Sequence, residues 1–317
     1  MNLNIKNILK ISLPLLLGVF LVWYSLSQIS IDELVAYFKK ADYTYIVLGI
    51  FLGLLSHLSR AYRWRFQLEP MGYKIKLGNS IMAVFATYLI NYTIPRAGEV
   101  ARASILANYE GVPFEKGFGT IVAERIADML VMLGIVTVTL FLQFDFIYGF
   151  LIEKFNPNKL LIALGLVAII IVFLLRFIKK SRSKLALKVK AFFNGLIEGA
   201  LSIFKMKKKW AFIFHTLFIW AMYLLMFYIT SFSLEQTQNI PFAAILIGFI
   251  AASFSIAATN GGIGSYPEAI VLAFSLFNLP EDPSRAFGWV MWASQTLMII
   301  ILGGLSLIYL PVYNRKK

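Results

Sequence analysis

The sequence predicts an all-α polytopic membrane protein of about six full transmembrane helices plus two interrupted, re-entrant helical hairpins. Three observations carry this reading. The composition is 59% hydrophobic with a mean hydropathy of +0.76. Several apolar runs reach the roughly 20 residues that take a helix across the hydrocarbon. Lys and Arg gather in a few segments between those runs. The runs, in order, are Ile8 to Ser27, Tyr45 to Leu58 with its flanks, Gly117 to Leu142, Leu160 to Ile178, Trp210 to Phe232 and Ala286 to Leu310. The first follows Lys6 and Lys10 as a signal peptide would, but it is too long for an ordinary signal core and no small-x-small cleavage site follows, so it is read as a retained helix.

Charge sets the expected orientation, because Lys and Arg of short loops stay on the cytoplasmic side. Arg176 to Lys209 holds eleven Lys or Arg against Glu198 alone, Arg60 to Lys76 holds five against Glu69, and the tail ends Arg315, Lys316, Lys317. These segments are placed inside, with both termini. Ile29 to Asp42 sums to minus one, Ser233 to Ile240 carries only Glu235, and Glu281, Asp282 and Arg285 again sum to minus one, so these are placed outside. Residues 176–209 are read as a basic cytoplasmic connector within a single membrane domain spanning 1–317. In it, Lys184 to Phe204 shows one apolar face suited to resting on an anionic leaflet.

Parity then requires the hairpins. A single crossing by Ile81 to Ile94 would leave the eleven-charge segment outside, so Asn79 to Glu110 must enter and return to the same side. The C-terminal part needs the same device: Phe242 to Ala258 goes in, Thr259 to Glu268 turns, and Ala269 to Leu279 returns. Two broken hairpins entered from opposite faces are what an inverted-repeat transporter shows.

Three constellations sit at or beside these breaks. In the first, Pro95 and Gly98 interrupt the helix, with Pro95 expected at the first helical position and Thr93 or Asn91 near the cap. Arg96, Glu99 and Arg102 then step by three residues along one stripe, where each charge exposed to lipid would cost at least about 2.5 kcal/mol. They hold a lipid phosphate, or they pair internally and only fix the hairpin. In the second, Glu124 and Asp128 share a helix face. Arg125 can satisfy Asp128, which leaves Glu124 to Arg96 or Arg102. In the third, Gly261, Gly262 and Gly264 free the backbone for tight turns, Pro267 starts the following helix, and Glu268 either caps that helix or meets a cationic head group or a proton. His57, Arg60 and Arg63 share a face at the inner end of the second helix and are read as positive-inside anchors. Gly49 and Gly53 are read as a packing pair.

The ordered set Tyr92-Thr-Ile-Pro-Arg-Ala-Gly-Glu-Val-Ala-Arg102, Glu124-Arg-Ile-Ala-Asp128 and Gly261-Gly-Ile-Gly264 followed by Glu268 resembles the flippase-like family known as the lysylphosphatidylglycerol synthase transmembrane region, over roughly Leu9 to Leu310. The resemblance implies a cytoplasmic-membrane protein that moves a lipid between leaflets. In aminoacyl-phosphatidylglycerol members a soluble aminoacyltransferase domain follows this unit; here the sequence ends at Lys317, and lysyltransferase activity is not expected.

Other classes fit poorly. The chain has no cysteine, and His57 and His215 stand far apart, so neither thiolate nor zinc chemistry is expected and no cofactor is assigned. The net charge of +14 is distributed as membrane topology demands, which leaves nucleic acid without a claim. The expected partners are membrane lipids, anionic or zwitterionic phospholipids or a polyprenyl-phosphate lipid, with a second copy or an envelope-biosynthesis protein as possible protein partners. The expected function is flippase-like lipid transport. The alternatives are an embedded enzyme using Glu124 or Asp128 as general base on a lipid head group, and a non-transporting subunit of an envelope complex.

Overall fold

The computed structural model describes residues 5–94, 96–154 and 206–315, with isolated positions between 162 and 203. The expected span Leu160 to Ile178, the connector helix Lys184 to Phe204, Pro95 and the last two lysines fall outside the described residues, those isolated positions apart. The helices in chain order are α1 (Ile5–Ser27), α2 (Ile31–Lys40), α3 (Tyr43–Leu68), α4 (Leu77–Thr93), α5 (Ala97–Glu110), α6 (Phe114–Leu142), α7 (Phe144–Lys154), α8 (Lys209–Ser231), α9 (Phe242–Ala258), α10 (Ser265–Ser275) and α11 (Glu281–Tyr313). No strand occurs among the described residues. By length and hydropathy α3, α6, α8 and α11 can each cross a bilayer, and α1 with α2 forms a fifth candidate bent by 83°. The protein is thus a multi-span helical membrane protein.

The chain divides into two compact units, Met1–Ile121 with Lys207–Lys317, and Val122–Met206. In the first, α3 and α8 lie antiparallel. The Asp42 N–H donates to the Ser233 carbonyl (2.8 Å) at one end, and Arg63 donates to Thr216 Oγ1 (2.7 Å) towards the other. Gly49 and Gly53 permit the approach: a side chain at Gly49 would collide with Thr230, and one at Gly53 with Gln295 and Met226. α3 runs ten residues beyond the expected Leu58, since Ser59 to Leu68 keeps helical propensity until the turn Glu69–Met71 and Gly72, whose φ of 89° stops it.

α11 is the spine of this unit, and its two halves carry different partners. Near its N-terminus it packs on α10, where Gly288 admits Pro267 and the buried rings of Phe274 and Phe287 stack at 5.8 Å. Near its C-terminus it packs on α4. There Asn79 and Asn314 exchange amide hydrogen bonds of 2.9 and 2.7 Å, and a Cβ on Gly303 would stand 2.9 Å from the Phe85 carbonyl oxygen. The hairpins α4–α5 and α9–α10 therefore come in from opposite ends of α11. The succession α3, α4, α5, α6 (26, 17, 14 and 29 residues) is matched by α8, α9, α10, α11 (23, 17, 11 and 33), the order of elements that an inverted repeat requires.

Candidate functional site

The two hairpin tips meet. Beside the middle of α11, the Tyr92 ring at the end of α4 lies against Gly261, so closely that any Cβ there would collide with it. Tyr92 shares a hydrogen bond with Thr296 (3.1 Å), and Trp292 Nε1 donates to the Gly261 carbonyl (2.9 Å). About one turn of α11, from Trp292 to Thr296, thus holds both breaks.

The first tip is shaped by Asn91 and Gly98. Asn91 Oδ1 accepts the Gly98 N–H at 2.8 Å, capping α5 from across the break as its type suggests. Gly98 is packed directly onto the Thr87 carbonyl, a contact no other residue permits. Two expectations change here. α5 begins at Ala97, not Pro95, and Arg96 is its N-cap, in the left-handed region at φ 59°. Such backbone strain in a non-glycine residue costs about 1–2 kcal/mol and concentrates at functional sites. Arg96 therefore does not share a helical stripe with Glu99 and Arg102. It is exposed, Glu99 is half-buried, and Arg102 is buried with its guanidinium 3.7 Å above the Trp64 ring.

The second tip matches its expected chemistry more closely. Gly261, Gly262 and Gly264 all take positive φ (65°, 77° and 69°). The hydroxyls of Ser255, Thr259 and Ser265 bridge its two legs at 2.6 and 2.9 Å. Gly264 lets the α1 backbone at Leu21 and Val22 cross the tip. α10 starts at Ser265, so Pro267 stands within its first turn rather than at its first position.

Glu268 is not left open to a cationic head group. Arg285 Nε donates to its Oε1 at 2.9 Å, Ser25 Oγ donates to the same oxygen at 2.6 Å, and Trp289 Nε1 donates to Ser25 at 3.2 Å. Arg285 also reaches Glu281 (3.5 Å) and Asp282 (3.4 Å), and it is 3% exposed. Arg285, counted only as one charge of the segment expected outside, lies in the second turn of α11 and joins α1, α10 and α11. Its spacing of four and three residues from Glu281 and Asp282 was the available signal.

His57, Arg60 and Arg63 are likewise not anchors reaching for the interface, since all three are buried. Arg63 stacks 5.0 Å from the Phe212 ring, and His57 sits among the rings of Phe85, Tyr88 and Tyr223. Gly49, Gly53, Ser56, His57, Arg60, Arg63 and Gln67 form one buried stripe of small and polar residues, a pattern that marks a helix interface rather than a lipid face.

In the second unit, Glu124 and Asp128 are buried on one side of α6, and Arg125 is exposed on another. The expected partnership of Glu124 with Arg96 or Arg102 joins residues of different units and is tested below.

The sequence profile of the lysylphosphatidylglycerol synthase TM region matches residues 11–303. The chain belongs to that family. Its curated relatives include UPF0104 membrane proteins of two archaea. That of Methanocaldococcus jannaschii is 23% identical over 98% of both chains. That of Pyrococcus horikoshii is 30% identical over 53% of this chain and 48% of its own. A protein named glycosyltransferase AglD, of Haloferax volcanii, is 28% identical over 34% of this chain and 18% of its own.

Proposed function

We propose that this member of the lysylphosphatidylglycerol synthase TM region family moves a phospholipid or a polyprenyl-phosphate-linked lipid between the leaflets of the cytoplasmic membrane, with both termini cytoplasmic. The observation that carries the reading is the meeting of two broken hairpins, entered from opposite ends of α11, at Tyr92 and Gly261. Non-helical backbone at membrane depth is tolerated only where protein or a watery cavity covers it. Broken helices meeting at the midplane are the usual place for a transported head group. Arg96 and Arg102 would serve the phosphate, Arg125, Glu99, Glu124 and Asp128 the remaining charges, and Gly261, Gly262 and Gly264 a close backbone approach; Glu268 acts through Arg285 instead. No nucleotide-binding motif stands in the sequence, so movement would follow a gradient of lipid or ion.

A second reading has one observation in its favour: a relative bears the name glycosyltransferase. An embedded enzyme would alter the lipid itself. Purified protein in liposomes separates the readings, using a head-group-labelled phospholipid with a membrane-impermeant quencher, then a glycosylated polyprenyl phosphate. Transport exposes more label than the outer leaflet holds at constant lipid mass, an enzyme changes the mass, and a subunit does neither. Arg96→Gln and Glu124→Gln should each abolish the exposure. Arg96 is exposed, so its variant should keep wild-type stability. Glu124 is buried, so a purely structural pairing would instead show as a loss of about 3–5 kcal/mol. Restoration of folding but not of transport by Arg96→Glu with Glu124→Arg would show that the two pair and that transport depends on which one carries the positive charge.

A further inference from the structure

The chain turns sharply where α1 ends. α1 has 23 residues, which at about 1.5 Å each rise roughly 35 Å, enough for the roughly 30 Å of hydrocarbon, and α2 leaves it at 83°. Trp23 and Tyr24 before the bend and Tyr43 after α2 are exposed, and such aromatic residues mark the level where hydrocarbon gives way to water. α2 is a helix in its own right rather than a continuation of α1. Ser30 Oγ accepts the Glu33 N–H at 3.1 Å, and Asp32 and Glu33 in the first turn and Lys39 and Lys40 in the last suit the helix dipole. A helix that leaves a span almost at right angles at this level runs along the membrane surface.

The two faces of α2 decide what covers it. Ile31, Leu34, Val35 and Phe38 recur at the spacing that aligns them on one side, and Glu33, Ala36, Tyr37 and Lys40 recur at the same spacing on the opposite side. The polar set is the one that faces the protein. It lines a pocket of about 260 Å³ together with Leu234, Glu235 and Gln236 of the loop after α8, and α2 packs against α11. The apolar set is therefore turned away from the protein, with Ile31 67% and Val35 42% exposed. A helix lying on a protein in water has the reverse arrangement, apolar side in and polar side out. The chain also enters α2 from a lipid-facing surface, since Val19, Phe20 and Trp23 of α1 are exposed. A second copy would make a poor cover: four side chains, two of them already half-buried, fall well short of the roughly 800 Å² that each partner of a specific interface buries.

We propose that α2 is an interfacial helix: its Ile31, Leu34, Val35 and Phe38 face dips into the lipid at the boundary where α1 ends, while Glu33, Tyr37 and Lys40 stay in water against the loop after α8. The partner is the bilayer surface itself, whatever the hairpin tips carry. The absence of cysteine from the chain makes the test direct. Ile31→Cys, Val35→Cys and Ala36→Cys, each at an exposed position where a cysteine disturbs no packing, are labelled singly with a nitroxide in the full-length protein. The labelled proteins are reconstituted in vesicles of phosphatidylcholine and phosphatidylglycerol, and collisions with oxygen, which concentrates in lipid, are compared with collisions with a water-soluble nickel chelate. The ratio of oxygen to nickel access should be severalfold higher at Ile31 and Val35 than at Ala36, which faces the polar pocket. Equal nickel access at Val35 and Ala36 would place α2 in water, and oxygen favoured equally at all three positions would make it a continuation of the span. Spin–spin broadening at Val35 that disappears on dilution with unlabelled protein would put a second copy on the apolar face. Any of these three results would overturn the interfacial assignment.

Discussion

Replacing Gly261 with Ala tests whether the two hairpins truly brace each other, because the energetic terms separate. At φ 65° an L-residue costs about 1–2 kcal/mol whatever its surroundings. The added Cβ also meets the Tyr92 ring, with Cδ1 at 2.6 Å and Cζ at 3.1 Å, and the ring cannot withdraw without loosening its 3.1 Å bond to Thr296. Forcing a methyl into such a contact costs typically about 1–3 kcal/mol. Gly261→Ala should therefore destabilise by roughly 2–5 kcal/mol, the sum of those two terms. In a Tyr92→Ala background the collision is gone, and the same substitution should cost only the conformational term, about 1–2 kcal/mol. The coupling energy of the cycle is then the collision alone, about 1–3 kcal/mol. Reversible unfolding in mixed micelles, followed by tryptophan fluorescence, measures all four proteins. If the two substitutions add to within about 0.5 kcal/mol, the tips do not touch and the argument for a shared midplane site collapses.

The remaining predictions address the hairpin, the ion pair and the orientation. Gly98→Ala should destabilise by about 1–3 kcal/mol through the Thr87 carbonyl. Gly304→Ala, with nothing within 4 Å, should gain up to about 1 kcal/mol from helix propensity. Arg285→Gln leaves half-buried Glu268 without its cation and should cost up to about 3 kcal/mol, whereas Arg285→Met combined with Glu268→Leu should recover most of that loss in a thermal melt. Cysteines at Ala97 and Ala101 should react with small water-soluble thiol reagents from the cytoplasmic side. One at Gly149 should react with impermeant reagents from outside in intact cells, and one at Ser183 should not. The reverse pattern at the last two would invert the proposed orientation.

The helices were legible because their cause is local. A run of apolar residues long enough for the hydrocarbon specifies a helix with no knowledge of its neighbours, and Pro95 and the three glycines after Asn260 punctuate two of them visibly. The re-entrant hairpins came from parity, which uses charge on the whole chain but still no contact. What stayed hidden was set by tertiary packing. Arg96 adopts the left-handed cap because Gly98 docks on the Thr87 carbonyl and pulls the first turn of α5 inward, a constraint that no spacing within residues 91–102 expresses. Charge counting could not foresee the burial of Arg285, Arg60 and Arg63 for one reason: a cation near a helix end contributes equally to the count whether it reaches for lipid head groups or points into the bundle. The residues around it decide. Arg60 and Arg63 continue a stripe begun by Gly49, Gly53 and Ser56, where α8 lies too close for a side chain to swing out, while Arg65, off that stripe, stands over the Tyr62 ring. Two arginines two positions apart on one helix thus differ in burial, Arg63 enclosed and Arg65 half-buried, and it is the helical phase of the small residues, not the charge, that separates them.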